Sequence, residues 1–124
     1  MTQVTVLECL LDCAIDHGLL QDLYARQGAA RADRTIATSL EDLATRLGIM
    51  RDGRDHGGFD DLPGQARRMS TIAARIGLIE VATAAGHVAD SARQRDGIAV
   101  EATMARLERS FDLAIGQVWM LRGG

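Results

Sequence analysis

Apolar residues recur along most of this chain at alternating intervals of three and four, which is the spacing of one face of an α-helix. The longest such stripe consists of Val100, Met104, Leu107, Phe111, Ala114 or Ile115, and Val118. Another consists of Ile36, Leu40, Leu43 and Leu47. The sequence contains no run of alternating β-branched and polar residues bounded by turn residues, which would indicate a strand. The pattern therefore predicts an all-α protein.

Glycine, proline and charged residues divide this pattern into five predicted helices. Four cover about residues 4–16, 19–47, 78–95 and 98–121, and one more ends at about Ile76. Gly28 is expected to bend or divide the second helix. Residues 48–64 contain five glycines and the only proline, so they predict a long loop or a locally helical excursion. At Asp96-Gly97 the glycine is expected to take the left-handed conformation that ends a helix.

Two shorter stripes complete the helical pattern; they are Leu62, Ala66, Met69, Ala73 and Ile76, and then Val81, Ala85, Val88 and Ala92. Four long amphipathic helices joined by short breaks predict an antiparallel four-helix bundle with a short additional N-terminal helix. Residues 1–124 are expected to form a single domain, because no linker divides them. Hydrophobic residues make up 47% of the chain and aromatic residues only 3%, so aliphatic side chains must fill the core.

Charge and composition exclude several functions. All 14 basic residues are arginines, which rules out Schiff-base chemistry on a lysine. These arginines are interspersed with acidic residues and aromatic residues are scarce, so we expect no nucleic-acid binding. The apolar N-terminal stretch is interrupted by Glu8, Asp12 and Asp16, and it predicts neither a signal peptide nor a membrane span. With two cysteines in a helical chain, a cytoplasmic location is the default expectation.

The stretch Ala66-Arg-Arg-Met-Ser-Thr-Ile-Ala-Ala-Arg-Ile-Gly77 resembles the phosphoacceptor helix of histidine phosphotransfer (HPt) domains. Ala66 matches the alanine before the family's histidine, Met69 matches a leucine, and Ile76-Gly77 match the pair that ends the helix. The resemblance covers about residues 62–118, since the apolar positions of the next two helices also fit; these are Val81, Ala84 or Ala85, Val88, Leu107 and Phe111.

The departures from the family pattern fall on its chemistry. Arg67 stands at the phosphoacceptor histidine, Ser70 at a lysine that steadies phosphate, and Thr71 at a glycine. A guanidinium stays protonated and has no free lone pair, so it cannot accept a phosphoryl group as an imidazole does. It can still pair with carboxylates or phosphate.

The resemblance therefore implies a non-catalytic HPt-like module that binds a receiver domain or a histidine kinase and modulates two-component phosphotransfer. Its expected docking face is the exposed side of the third predicted helix, formed by Arg67, Arg68, Thr71 and Arg75. The alternative for these side chains is an ordinary solvated helix surface.

Two other functions stay open. His87, the only histidine inside a predicted helix with clear periodicity, could be an alternative phosphoacceptor, although an exposed surface histidine is the simpler interpretation. The chain could also be a helical adaptor or a homodimer unrelated to phosphorelays, with an apolar patch at Trp119, Met120 and Leu121.

Candidate metal ligands do not have suitable spacing. Cys9, Cys13 and His17 share one helical face, but the first and last would lie about 12 Å apart along the axis, too far to share one zinc ion. Buried small side chains are the simpler interpretation of the cysteines. The acidic loop matches no calcium-binding pattern; its candidate ligands are Asp52, Asp55, His56, Asp60 and Asp61. No catalytic motif is present. We expect no metal, no cofactor and no enzymatic activity.

Overall fold

The computed structural model describes residues 15–56 and 60–121, with side chains as far as Val118. These residues form five α-helices and no strands. The helices are α1 (His17–Gln27), α2 (Ala29–Asp55), α3 (Leu62–Arg75), α4 (Ile79–Arg93) and α5 (Gly97–Leu121). The described residues thus confirm the all-α prediction. The predicted helix over 4–16 lies outside them except for Ile15 and Asp16, which precede α1.

Gly28 divides the segment predicted as one helix over 19–47 into α1 and α2. Its backbone has φ 82° and ψ 159°, a conformation found almost only in glycine. Asp16 begins α1, because its Oδ1 accepts a hydrogen bond from the Leu19 N–H at 3.1 Å. The expectation that Gly28 bends or divides the helix is confirmed, and the division makes α1 a separate short helix.

Of the two alternatives for 48–64, the helical one is confirmed over 48–55 and 62–64, and a continuous loop is wrong. Helix α2 continues to Asp55 and α3 begins at Leu62, with Pro63 in its first turn. The apolar stripe of α2 continues through the fully buried Met50. Burying such a side chain contributes about 1.5–3 kcal/mol, which offsets the cost of about 1 kcal/mol for each of Gly48 and Gly53 within the helix.

The predicted stripes of α3, α4 and α5 form the core. Every residue predicted in the stripes of α3 and α4 is buried, as is the stripe of α5 from Val100 to Val118 apart from the half-buried Ile115. Helix α4 packs along α3 on one side and α5 on the other, and α2 contacts α3 and α5. Helix α1 packs on α2. Among the described residues no helix combines the length and apolarity needed to cross a membrane.

The two connections around α4 use the same hydrogen-bond pattern. After α3, the N–H groups of Gly77 and Leu78 bond back to the carbonyls of Ala74 and Ala73, with Gly77 at φ 79°. After α4, the residue with positive φ is Arg95, at 54°.

The prediction that Gly97 takes the left-handed conformation is therefore wrong. Gly97 is the first residue of α5. Asp96 already begins this helix, since its Oδ1 accepts a hydrogen bond from the Ala99 N–H at 3.1 Å. The left-handed conformation that ends α4 therefore falls one residue before Asp96, at Arg95.

Candidate functional site

The predicted docking residues lie together on the exposed face of α3. Arg67, Thr71 and Arg75 follow each other at intervals of four, so they form a row about 12 Å long, and Arg68 lies beside its start. All four residues are exposed. The opposite face of α3 carries the buried stripe, and its burial fixes the direction in which the arginines point. We refer to Arg67, Arg68, Thr71 and Arg75 as the arginine face.

The guanidinium groups of the arginine face form no ion pair with any carboxylate in the described residues. Other arginines do; for example, Arg46 pairs with Asp42 at 2.8 Å and Arg95 with Asp60 at 2.9 Å. Within the face, the Thr71 hydroxyl donates to the carbonyl of Arg67 at 3.1 Å. The guanidinium donors of this face therefore have no competing acidic partner among the described residues.

A groove of about 430 Å³ runs beside the arginine face, between α3 and α4. It is lined by Arg67, Ser70, Thr71, Gly86, Ala89 and Asp90. Gly86 and Ala89 have little or no side chain, so they leave the α4 side of the groove open. The Ser70 hydroxyl donates to the carbonyl of Ala82 at 2.8 Å. Asp90 pairs with Arg93 one turn further along α4. The groove thus has Arg67 on its α3 side, and its α4 side consists of two small residues and the carboxylate of Asp90.

His87 lies in a different groove. It is exposed on α4 and lines a space of about 300 Å³ against α5, together with Glu80, Thr83, Ala84, Arg106 and Ser110. No residue is shared with the groove beside the arginine face. The two sequence-predicted sites are therefore separate.

Several of the candidate metal ligands in the described residues have other partners. Asp55 pairs with Arg54 and Asp60 with Arg95, while His56 donates from Nδ1 to the carbonyl of Asp52 at 2.8 Å. No group of three or more histidine, cysteine or acidic side chains is arranged to hold a metal in the part of the chain that the structure describes. Cys9 and Cys13 lie outside the described residues, as do the side chains of Trp119, Met120 and Leu121.

An ion-pair cluster between α2 and α5 has no clear signal in the sequence. Arg54 Nη1 lies 3.3 Å from Glu108 Oε1, and Arg51 Nε lies 3.4 Å from the same oxygen. Partial burial lowers the pKa of Arg54, but the hydrogen bond to Asp55 and the nearby Glu101 and Glu108 outweigh it, so this pKa is raised. The contact joins Arg54 and Glu108, which lie 54 residues apart in the sequence, so a local sequence pattern cannot reveal it.

Sequence analysis also missed an apolar cavity of about 360 Å³ at one end of the helices. It is lined by His17, Leu20, Gln21, Tyr24, Ile36, Ile76 and Val118. The α1 residues fall at helical spacing, but most of them carry polar groups, and the apolar side of the cavity comes from Ile36, Ile76 and Val118 on other elements.

The chain matches no protein family model, no curated protein and no solved structure. Its fold and grooves define an all-α protein with an arginine face on one helix.

Proposed function

We propose that the protein is a non-catalytic HPt-like signalling module that binds a receiver domain or a histidine kinase and modulates two-component phosphotransfer. In this proposal α2 to α5 form an antiparallel four-helix bundle, and α1 packs against it. The observation that carries the proposal is the arginine face, whose three exposed guanidinium groups form no ion pair in the described residues and of which Arg67 and Thr71 line a groove.

The chemistry of this face suits an acidic partner. A receiver domain presents carboxylates around its phosphorylation site, and arginine binds carboxylates or phosphate with paired N–H donors. Arg67 cannot accept a phosphoryl group, because its guanidinium has no free lone pair. A protein that occupies the acidic pocket without accepting phosphate would slow transfer to other acceptors. Hydrogen bonds to charged groups contribute about 1.5–3 kcal/mol each, so two arginines account for roughly a hundredfold or more in affinity.

The test measures binding to purified receiver domains and histidine kinases encoded in the same genome, by biolayer interferometry. The variant Arg67→Glu/Arg68→Glu is compared with Arg106→Glu/Arg109→Glu, a matched pair of exposed arginines on α5. We expect the α3 variant to lose about a hundredfold in affinity and the α5 variant to lose little. Circular dichroism checks that both keep their helices. Binding to none of these proteins, or equal losses in both variants, would refute the proposal.

A helical adaptor or homodimer is the second candidate. Ile79 and Leu113 are 47% and 40% exposed, and each lies within a turn of a residue that lines the α4–α5 groove, Glu80 or Ser110. The two apolar side chains thus belong to the same end of the helix pair. Self-association through this end predicts a dimer in light scattering that Ile79→Ser converts to a monomer.

An active phosphotransfer protein is the third candidate, with exposed His87 as the phosphoacceptor. Arg106, which lines the same groove, offers a cation for phosphate. This candidate predicts acid-labile phosphate after incubation with a phosphorylated receiver domain. The label should disappear in His87→Ala and persist in His56→Ala, a matched exposed histidine.

A further inference from the structure

The first half of α2 carries a polar pocket on its exposed side, which we call the α2 pocket. Its volume is about 460 Å³, which is in the range of small-molecule sites. Each residue that lines it has a side-chain hydrogen-bond donor; these are Arg31, Arg34, Thr35, Thr38 and Ser39. Their spacing along the helix places them on one side of α2. The pocket therefore gathers two guanidinium groups and three hydroxyls, and no carboxylate among the described residues lines it.

The two guanidinium groups of the α2 pocket are not neutralised within the described part of the chain. There, neither Arg31 nor Arg34 forms an ion pair. Asp33 lies between them in the sequence, but its Oδ1 accepts a hydrogen bond from the Tyr24 hydroxyl of α1. The first turn of α2 contains no acidic residue either. Like charges one turn apart on a helix repel each other, so an anion bound between these two arginines relieves a repulsion as well as pairing with both.

Two of the three hydroxyls can still donate a hydrogen bond. The Thr35 hydroxyl donates to Gln27 Oε1 at 2.8 Å, so its proton is already used. The hydroxyls of Thr38 and Ser39 donate to no group that the structure describes. Thr38 is exposed and Ser39 is half-buried, so a ligand in the pocket can reach both. The α2 pocket thus offers two charged and two neutral donor groups to an acceptor.

We propose that the α2 pocket binds a phosphoryl group, either as free phosphate or as part of a phosphate monoester. A phosphoryl group presents three acceptor oxygens and a charge of about −1.5 to −2 near neutral pH, whereas a carboxylate presents two oxygens and a single charge. The phosphoryl group therefore matches two guanidinium groups and two hydroxyls better. This inference does not rest on the proposed function, because the α2 pocket shares no residue with the arginine face.

The test is a titration of the isotope-labelled full chain with phenyl phosphate, inorganic phosphate and benzoate, followed by the backbone amide NMR signals of residues 29–39. Ionic strength is held constant, because salt alone screens exposed arginines. The site variant is Arg31→Gln/Arg34→Gln. Its matched control is Arg106→Gln/Arg109→Gln, a pair of exposed arginines with the same spacing on α5. Glutamine and arginine have similar helix propensities, so both variants should keep their helices.

We expect phenyl phosphate to shift these signals and to bind at least about tenfold tighter than benzoate. Its affinity should fall at least about tenfold in the α2 variant and stay unchanged in the α5 variant. Thr38→Val/Ser39→Ala, which keeps both charges, should weaken binding at least about threefold.

The two phosphate ligands distinguish the sources of the phosphoryl group. Inorganic phosphate that binds as tightly as phenyl phosphate would support free phosphate as the ligand, and weaker binding of inorganic phosphate would support a monoester. Three results would overturn the proposal: benzoate binding as tightly as phenyl phosphate, equal losses of affinity in the α2 and α5 variants, or no change in the signals of residues 29–39.

Discussion

Gly77→Ala tests how the start of α1 is held against the end of α3. Gly77 has φ 79°, and an L-residue in this left-handed region costs about 1–2 kcal/mol. A Cβ at this position would also lie 3.0 Å from the backbone oxygen of Asp16, so the two segments would have to separate. Such a separation weakens the Asp16–Gly77 hydrogen bond, a further loss of about 1 kcal/mol. We therefore expect the free energy of unfolding to fall by about 2–3 kcal/mol.

The assay is urea unfolding followed by circular dichroism, with Gly48→Ala as the control. Gly48 lies within α2, and a Cβ there would meet nothing within 4 Å. Alanine should therefore stabilise that helix by up to about 1 kcal/mol through its higher helix propensity. The reasoning would be refuted if Gly77→Ala lowered the free energy of unfolding by less than about 1 kcal/mol, or if both variants had the same effect.

Two further predictions concern stability and use the same unfolding assay. Arg95→Gly should raise the free energy of unfolding by about 1 kcal/mol, because Arg95 has φ 54° and its exposed ion pair with Asp60 contributes little; a destabilised variant would contradict this. A double-mutant cycle of Arg54→Met and Glu108→Gln should give a coupling free energy of about 1 kcal/mol, because these partly buried side chains join α2 to α5. A coupling free energy of zero would show that the contact does not stabilise the fold.

The helical core was predictable because each helix carries its own periodic signal. Met69 and Ala73 of α3, or Met104 and Leu107 of α5, identify a buried face without knowledge of what covers it. The break at Gly28 was predictable for a similar reason, since a glycine between two polar stretches weakens a helix locally. These features depend on residues at most a few turns apart.

Features that depend on distant residues could not be predicted. The glycines within 48–64 are compatible with a loop or a helical excursion, and only the buried Met50 and the contact between Arg54 and Glu108 explain why α2 extends to Asp55. The local preference of glycine for positive φ predicts this conformation at Gly97, whereas the residue with positive φ is Arg95. Capping of α5 by Asp96 determines the position instead.

The arginine face was predictable only in part. Intervals of four place Arg67, Thr71 and Arg75 on one side of a helix, and the buried stripe of α3 requires that side to be exposed. Whether a guanidinium has an acidic neighbour depends on other helices, as the pairing of Arg95 with Asp60 illustrates. The small residues beside the face, Gly86 and Ala89, belong to α4, so only the folded structure shows that they line the same groove as Arg67.

In the proposed HPt-like module Arg67 stands where the family has its phosphoacceptor histidine, and such a surface could still bind an acidic partner. An imidazole needs a free lone pair to accept a phosphoryl group, whereas docking to an acidic pocket needs only donors, charge and exposure. Arg67 has all three, and Arg68 and Arg75 add charge on the same helix. The Ser70 hydroxyl donates to the Ala82 carbonyl and so links α3 to α4. The proposed module would therefore bind an acidic partner reversibly without accepting its phosphoryl group, and this distinguishes it from an active phosphotransfer protein.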